Sequence, residues 1–257
     1  MDKIFAIYKK EVKGFFFSPT FYVVAFFCSA VMSWLYPIQL SDFLSNLKNQ
    51  MFQQGMPPQA LNAHYALFIR HLVNCNLLLI FIVPALTMKL FAEERKLRTF
   101  DLLLTSPITS VQIVVGKYLS VLTAIFAIML IALSYPAMTA FFAKIEWVPL
   151  MIAALGIFLV GAVYAAMNLF CSALTESAVI AYVMAVILNV SVWFVGAGLE
   201  VVDSPWGRQI FEHISLNSHL VGMVEGTIRT SGLIFFLSVV FLFCFLCERV
   251  VESLRWR

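Results

Sequence analysis

The chain has 257 residues, of which 62% are hydrophobic and only 12% are charged, and its formal net charge is +3. Soluble domains carry about 25% charged residues, so this composition excludes an ordinary water-soluble globular protein. The five cysteines lie inside or at the edges of apolar blocks, a placement that is not typical of a disulfide-stabilised secreted fold. We therefore predict an all-α integral membrane protein.

The chain begins with an amphipathic pattern. Apolar residues between Ile4 and Phe16 are interleaved with lysines and Glu11. This pattern predicts a helix that lies on the inner membrane surface, with Ser18-Pro19 turning the chain into the first span. A basic tail that only orients the first span is the simpler alternative. Because no small-residue cleavage site follows, we interpret the first apolar block as a retained span rather than a signal peptide.

Six apolar blocks follow, each close to the roughly 20 residues that a helix needs to cross a bilayer. The fourth and fifth blocks are nearly continuous. We separate them at the polar turn 172–177, because a single helix of that length would far exceed a bilayer. We treat residues 1–257 as a single transmembrane domain. The six predicted spans are Pro19–Tyr36, Asn76–Leu90, Tyr118–Phe142, Val148–Cys171, Ala178–Gly196 and Gly232–Cys247.

Lysine and arginine residues predict the orientation, because they are enriched in cytoplasmic loops. With the N-terminus inside, twelve of the 17 Lys and Arg residues fall on the cytoplasmic side and five on the outer side. Six spans then place both the N- and the C-terminus in the cytoplasm. The five outer residues are Lys48, Arg70, Lys144, Arg208 and Arg229.

Two predicted outer segments are long. The first, from Pro37 to about Asn74, contains the run Gln53-Gln-Gly-Met-Pro-Pro-Gln59, which is predicted to form a turn or loop. The second, residues 197–231, keeps regularly spaced apolar residues. This spacing favours short interfacial or re-entrant helices that pack against the bundle between spans five and six.

The four histidines all fall in these outer segments. Within the two pairs the spacings are seven and six residues, which do not match the i, i+4 spacing of a helical metal-binding pair. We therefore interpret them as solvated or facing lipid headgroups, with an outer metal site as the alternative. They are His64, His71, His213 and His219.

The segment between spans two and three is the most charged part of the chain. A loop that only sets orientation needs Lys and Arg and has no use for Glu93, Glu94 and Asp101. The spacing of its acids, bases and leucines predicts a short amphipathic helix at the cytoplasmic surface, ended by the run Thr105-Ser-Pro107. Such a helix is suited to docking a soluble partner.

The same segment resembles a known family. The run Glu93-Glu-Arg95, then Thr99-x-Asp101-Leu-Leu-Leu-Thr-Ser-Pro107 and Gln112-Ile-Val-x-Gly116-Lys117, is similar to the signature of ABC-2 type transporter permeases. More narrowly, it resembles the subgroup of gliding-motility and nitrous-oxide-reductase-maturation permeases, as do Lys10-Glu-Val-Lys13 and Ser18-Pro-x-Phe-Tyr-Val-Val24. That family usually has Gly-Thr-Leu-Glu where this chain has Arg98-Thr-Phe-Asp101, and the loss of the glycine predicts a regular helical turn there.

The resemblance implies a permease subunit of an ATP-binding cassette exporter in the inner membrane of a bacterium. A second copy or a paralogue would complete the translocation path as a dimer, and a separate ATPase subunit would bind each half. The segment between spans two and three would be the coupling helix, and the outer helices between spans five and six would cap the path. The implied ATPase-coupling residues are Glu93, Glu94, Arg95, Thr99 and Asp101.

The chain itself is not expected to be an enzyme. A P-loop needs Gly, four residues, and then Gly-Lys-Ser/Thr; around Gly116-Lys117 the other required positions hold Val111 and Tyr118. ATP is therefore expected to be used by the partner, and we expect no directly bound cofactor, no metal and no nucleic acid. The alternative from another class is an energy-independent membrane scaffold or channel subunit, in which the charged segment is only structural.

Overall fold

The computed structural model describes residues 2–54, 63–100, 108–142, 145–197 and 205–255. Within these ranges the chain is helical and contains no strand, which confirms the predicted all-α class. A π-helical turn at His64–Phe68 leads into the third helix. The helices described are α1 (Asp2–Phe17), α2 (Pro19–Gln54), α3 (Ile69–Thr87), α4 (Lys89–Lys96), α5 (Ser110–Thr139), α6 (Trp147–Leu174), α7 (Ala178–Ala197), α8 (Pro205–Ile214), α9 (Leu216–Val224) and α10 (Thr230–Arg255).

Among the described residues, six segments are long and apolar enough to cross a membrane, as predicted, and each contains or overlaps one predicted span. The orientation relative to the cytoplasm stays a prediction. The fold nevertheless brings one set of helix ends together, because α1 packs on α5 and the end of α10 contacts the start of α5. The six segments are Pro19–Asn49, His64–Lys96, Ser110–Thr139, Trp147–Leu174, Ala178–Gly196 and Thr230–Arg255.

The predicted end of the first span at Tyr36 is wrong, and much of the first predicted outer segment is helical. α2 does not stop at Tyr36 but continues through Pro37 to Gln54, and the second span begins at His64. The 36 residues of α2 rise about 54 Å at about 1.5 Å per residue, well beyond a hydrocarbon core of about 30 Å. Hydropathy detects only the apolar part of such a helix. The Gly55 and Pro57-Pro58 stretch lies outside the described residues.

α6 occupies the centre of the bundle, where it packs against α3, α5, α7, α9 and α10. Small residues make this possible, because helices in lipid associate through close packing rather than through the hydrophobic effect. A Cβ atom at Gly161 would lie 3.1 Å from Ile125 Cγ2, and one at Gly156 would lie 2.9 Å from Met223 Cβ. Four of the other described spans therefore pack around α6, and α2 packs instead on α3 and α5.

Three of the described spans contain an interior proline (Pro37, Pro84 and Pro136), and for Pro84 and Pro136 a neighbouring helix compensates for it. Proline removes one backbone hydrogen bond and leaves the carbonyl four residues earlier without its helical partner. Pro84 leaves Ile80 O without its helical partner, and this oxygen accepts a hydrogen bond from Asn189 Nδ2 at 3.2 Å. Membrane proteins need such replacements because the hydrocarbon offers no water.

Pro136 in α5 has the same consequence for Ala132 O. Here the replacement is the ring of His71, whose Nε2 lies 2.9 Å from that oxygen. Since a carbonyl can only accept, Nε2 carries the proton and donates. The ring also contacts Tyr36 and Tyr135, with centroids 5.0 and 5.9 Å away. His71 is therefore a structural residue of the bundle interior.

The interpretation of the histidines as solvated is thus wrong for two of them. His71 and His64 are buried, and His64 Nε2 lies 2.9 Å from Val224 O. His213 is exposed, and His219 is stacked on Phe235 with ring centroids 4.2 Å apart. Among the described residues, no group of three or more His, Cys, Asp or Glu side chains is arranged to hold a metal ion.

Short helices do form between spans five and six, as predicted. α9 begins after Ser215, whose side chain accepts from Ser218 N, and it packs on α6, α7 and α10. Its end turns at Gly226, which has a φ of 88° and whose missing Cβ would lie 2.9 Å from Pro149 Cβ. The depth of α8 and α9 in the membrane stays a prediction.

Candidate functional site

The predicted coupling residues lie at one end of the second span. α4 follows α3 after a break at Met88 and belongs to the same membrane segment, His64–Lys96. The predicted helix is therefore interrupted, because α4 begins at Lys89 and ends at Lys96. The end predicted at Thr105-Ser-Pro107 lies outside the described residues. α4 carries Glu93, Glu94 and Arg95, whereas Thr99 lies beyond it and Asp101 lies outside the described residues.

α4 ends in a tight left-handed turn. Arg98 has a φ of 54°, its N–H donates to Arg95 O, and the N–H of Thr99 donates to Glu94 O at 3.0 Å. These two hydrogen bonds form a Schellman motif, in which the left-handed position is usually glycine. The prediction of a regular helical turn here is wrong: Arg98 keeps the conformation for which glycine, the residue usual at this position in the resembled family, is best suited.

Lys117, near the start of α5, is the most buried charged group of this region. Its side chain is 1% exposed, and its Nζ donates to Glu11 Oε1 at 2.9 Å and to Leu90 O at 2.7 Å. Glu94 Oε2 lies 2.9 Å away as an ionic contact, outside hydrogen-bond alignment. The Phe91 ring centroid lies 5.1 Å from Nζ. A buried ammonium group is stable only with such partners.

Lys10 completes this group, which we name the Lys117 cluster (Lys10, Glu11, Glu94 and Lys117). Lys10 Nζ lies 3.0 Å from Glu94 Oε1 and 3.6 Å from Glu11 Oε1. Partial burial lowers the pKa of Lys10, but hydrogen bonding and attraction to Glu94 and Glu11 outweigh this, so the pKa is raised. The charge of Lys10 therefore stabilises the cluster below the ordinary lysine pKa and ceases to do so as the pH rises through the raised value.

Gly116 brings α1 into contact with the same part of α5. A Cβ atom at this position would lie 2.9 Å from Ile7 Cγ2 and 3.3 Å from Ile4 O. Ile7 is buried in this contact. The pair Gly116-Lys117 does not complete a P-loop and instead has a structural role. Gly116 leaves the space that α1 occupies, and Lys117 binds Glu11 of α1.

Arg95 connects α4 to the turn between spans four and five. Its guanidinium donates to Ala173 O at 2.6 Å and pairs with Glu176 Oε1 at 3.1 Å. Nearby, the Ser172 hydroxyl donates to Met88 O and accepts from the N–H groups of Phe91 and Ala92. The hydroxyl thus satisfies backbone groups at the break between α3 and α4.

The structure divides the predicted coupling residues into two groups. Glu93 and Thr99 are exposed, and the Thr99 hydroxyl donates to Glu94 O. Glu94 and Arg95 are mostly buried and engaged in contacts within the chain. Sequence reasoning recognised the charges of this region and placed Lys117 in the family signature, but it did not predict that Lys117 is buried among them. The one available signal was a lysine that follows a glycine within an apolar helix.

The fold defines a multi-pass membrane protein whose spans meet in a charged junction at one end. The family model described as ABC-2 family transporter protein matches residues 5–205, which covers most of α1 and all of α2 to α7. The chain therefore belongs to the ABC-2 transporter family, as its resemblance predicted. No curated protein matches the chain. The narrower subgroup stays a prediction.

Proposed function

We propose that the chain is the permease subunit of an ATP-binding cassette exporter that works as a dimer with a separate ATPase subunit. The observation that carries this proposal is the family match over residues 5–205. The proposal places the protein in a bacterial inner membrane and assigns ATP binding and hydrolysis to the partner. The second half of the path would be another copy or a paralogue.

The exposed surfaces are consistent with further subunits. The apolar windows of α2, α7 and α10 are mostly unburied within the chain, in contrast to that of α6. Lipid covers part of these surfaces, and a second permease half would cover another part. On the charged end, Glu93 and Thr99 are exposed beside Lys96 and Leu97, and they offer an ATPase subunit charge, a hydroxyl and one apolar side chain.

The test is copurification of an ATPase subunit with tagged chain from its native membrane. Glu93→Lys should release the ATPase while insertion and expression stay unchanged, because Glu93 makes no ion pair among the described residues. Glu212→Lys, at an acid on α8 that is also exposed, is the matched control and should retain it. Purified wild-type chain without any ATPase partner would refute the proposal and support the alternative of an energy-independent scaffold or channel.

A further inference from the structure

α1 has a connection that an amphipathic membrane-surface helix does not need. Ile7 packs on Gly116 of α5, and Glu11 accepts a hydrogen bond from the buried Lys117. The Tyr8 hydroxyl lies 3.0 Å from Thr123 Oγ1 on the same helix. α1 is thus attached to α5 along its length.

Lys117 connects α1 to α4 as well as to α5. The same ammonium group contacts Glu11 of α1, Glu94 of α4 and Leu90 O of α4. α1 and α4 have little direct backbone contact with each other. The other link is the exposed side chain of Lys10, which pairs with Glu94. The main connection between the two helices therefore passes through one buried cation.

Because the cation is buried, this connection needs a carboxylate from both α1 and α4. Removing either carboxylate leaves Lys117 with one ionic partner, and removing Lys117 leaves two carboxylates close together in a largely buried site. An apolar contact would tolerate sliding of α4 past α1, because dispersion is non-directional. Charge-assisted hydrogen bonds fix both distance and direction. A displacement of α4 must therefore either carry α1 with it or break the cluster.

We infer that Lys117 is a positioning residue that joins α1 to the unit moved by the ATPase subunit. This inference rests on the proposed function, in which the ATPase binds at the exposed face of α4. Movement of α4 is passed through Glu94, Lys117 and Glu11 to α1 and to the start of α5. The N-terminal helix is then a working part of the permease.

The first experiment measures the attachment of α1 without any ATPase. The full chain in lipid nanodiscs is treated with trypsin, and cleavage at the α1 lysines is followed by mass spectrometry. Lys117→Met should accelerate this cleavage by about tenfold, because α1 opens locally more often. Gly116→Ala should do the same without changing any charge, since its Cβ would lie 2.9 Å from Ile7 Cγ2.

Two matched controls accompany these variants. Gly14→Ala changes a glycine of α1 that has open space around its missing Cβ, and Lys48→Met removes an exposed lysine of α2. Both should leave cleavage of α1 unchanged. Unchanged cleavage in Lys117→Met and Gly116→Ala would overturn the inference. If Lys117→Met does not fold, Gly116→Ala alone decides this step.

The second experiment uses the complex with the ATPase subunit that copurifies from native membranes. The ATPase should remain bound in Lys117→Met and Gly116→Ala, because Glu93 and Thr99 are untouched. Permease-dependent ATP hydrolysis per complex should nevertheless fall by about tenfold, because movement of α4 is no longer passed to α1. A purely structural role would instead lower the yield of complex and leave hydrolysis per remaining complex unchanged.

The outcomes separate the two proposals. If wild-type chain binds no ATPase, the proposed function fails before any variant is made, and the coupling role of Lys117 fails with it. If the ATPase binds, and released α1 leaves hydrolysis unchanged, only the coupling role is overturned. Loss of hydrolysis per complex together with release of α1, at unchanged complex yield, supports both.

Discussion

The charged end of the bundle and its membrane-level interior use different chemistry to hold helices together. At the charged end, Lys117 and Arg95 connect α1, α4, α5 and α6 through ion pairs and charge-assisted hydrogen bonds. In the interior, neutral donors from Asn189 and His71 satisfy carbonyl groups that prolines have left free. A charged side chain costs much free energy inside the hydrocarbon, so charges are placed at the end of the bundle. Neutral hydrogen-bonding groups can be buried at membrane depth.

The difference has a mechanical consequence. Ionic contacts of the charged end join helices that are far apart in sequence, such as α1 and α4, and each contact is specific to its partners. The interior contacts also join two helices each, but through neutral donors to single carbonyl groups, and the packing of small residues around α6 supplies the rest. We therefore expect substitutions at the charged end to cost more stability than substitutions of the interior polar residues.

Lys117→Met should have the largest effect. It leaves Glu11 and Glu94, whose side chains are only 12% and 16% exposed, without their shared buried cation, and we expect a loss of about 3 kcal/mol in the free energy of unfolding. Reversible unfolding in mixed micelles measures it. A loss below that of the interior substitutions would reverse the comparison between the two regions.

Arg95→Met should rank second. It removes a charge-assisted hydrogen bond to Ala173 O and the pair with Glu176, which is 67% exposed. Because the exposed partner is solvated after the substitution, the loss should be about 2 kcal/mol. Glu176→Gln is the companion variant and should cost far less, since the carbonyl contact of Arg95 survives. Equal losses in both variants would show that the ion pair matters more than the carbonyl contact.

Arg98→Gly should stabilise the protein. Arg98 has a φ of 54°, which costs a side-chain-bearing residue about 1 kcal/mol that glycine does not lose. Part of this gain is offset by the greater freedom of glycine in the unfolded chain. Thermal unfolding of the two proteins in the same nanodiscs is the measurement. A lower melting temperature for Arg98→Gly would mean that the arginine side chain has contacts that outweigh the strain.

Asn189→Leu should have the smallest effect, and it sharpens the account of the interior. Loss of the hydrogen bond to Ile80 O should cost about 0.6 kcal/mol. In a Pro84→Ala background the cost should shrink, because the new N–H at position 84 can bond to Ile80 O within the helix. A double-mutant cycle in mixed micelles measures this coupling. Strict additivity would exclude the compensation of Pro84 by Asn189.

The sequence identified most residues of the candidate site, but it did not show which of them are exposed and which are buried in contacts within the chain. The charges at 93–95 and the Thr-x-Asp run identified the region, because alternating charge in an apolar chain is unusual. Which of these side chains face outward depends on the partners that the fold brings to them. Glu94 is turned inward by Lys10 and Lys117, which lie 84 and 23 positions away in the chain, and Glu93 is left exposed.

The sequence by itself determined the six apolar spans and the family, because both depend on local composition and short motifs. Only the tertiary structure decided where α2 ends, why His71 is buried and what Lys117 does. Each of these depends on contacts between distant segments: the packing of α2 against α3, the carbonyl that Pro136 leaves free, and two carboxylates from different helices. Hydropathy and motif spacing describe one stretch of chain at a time and do not contain such information.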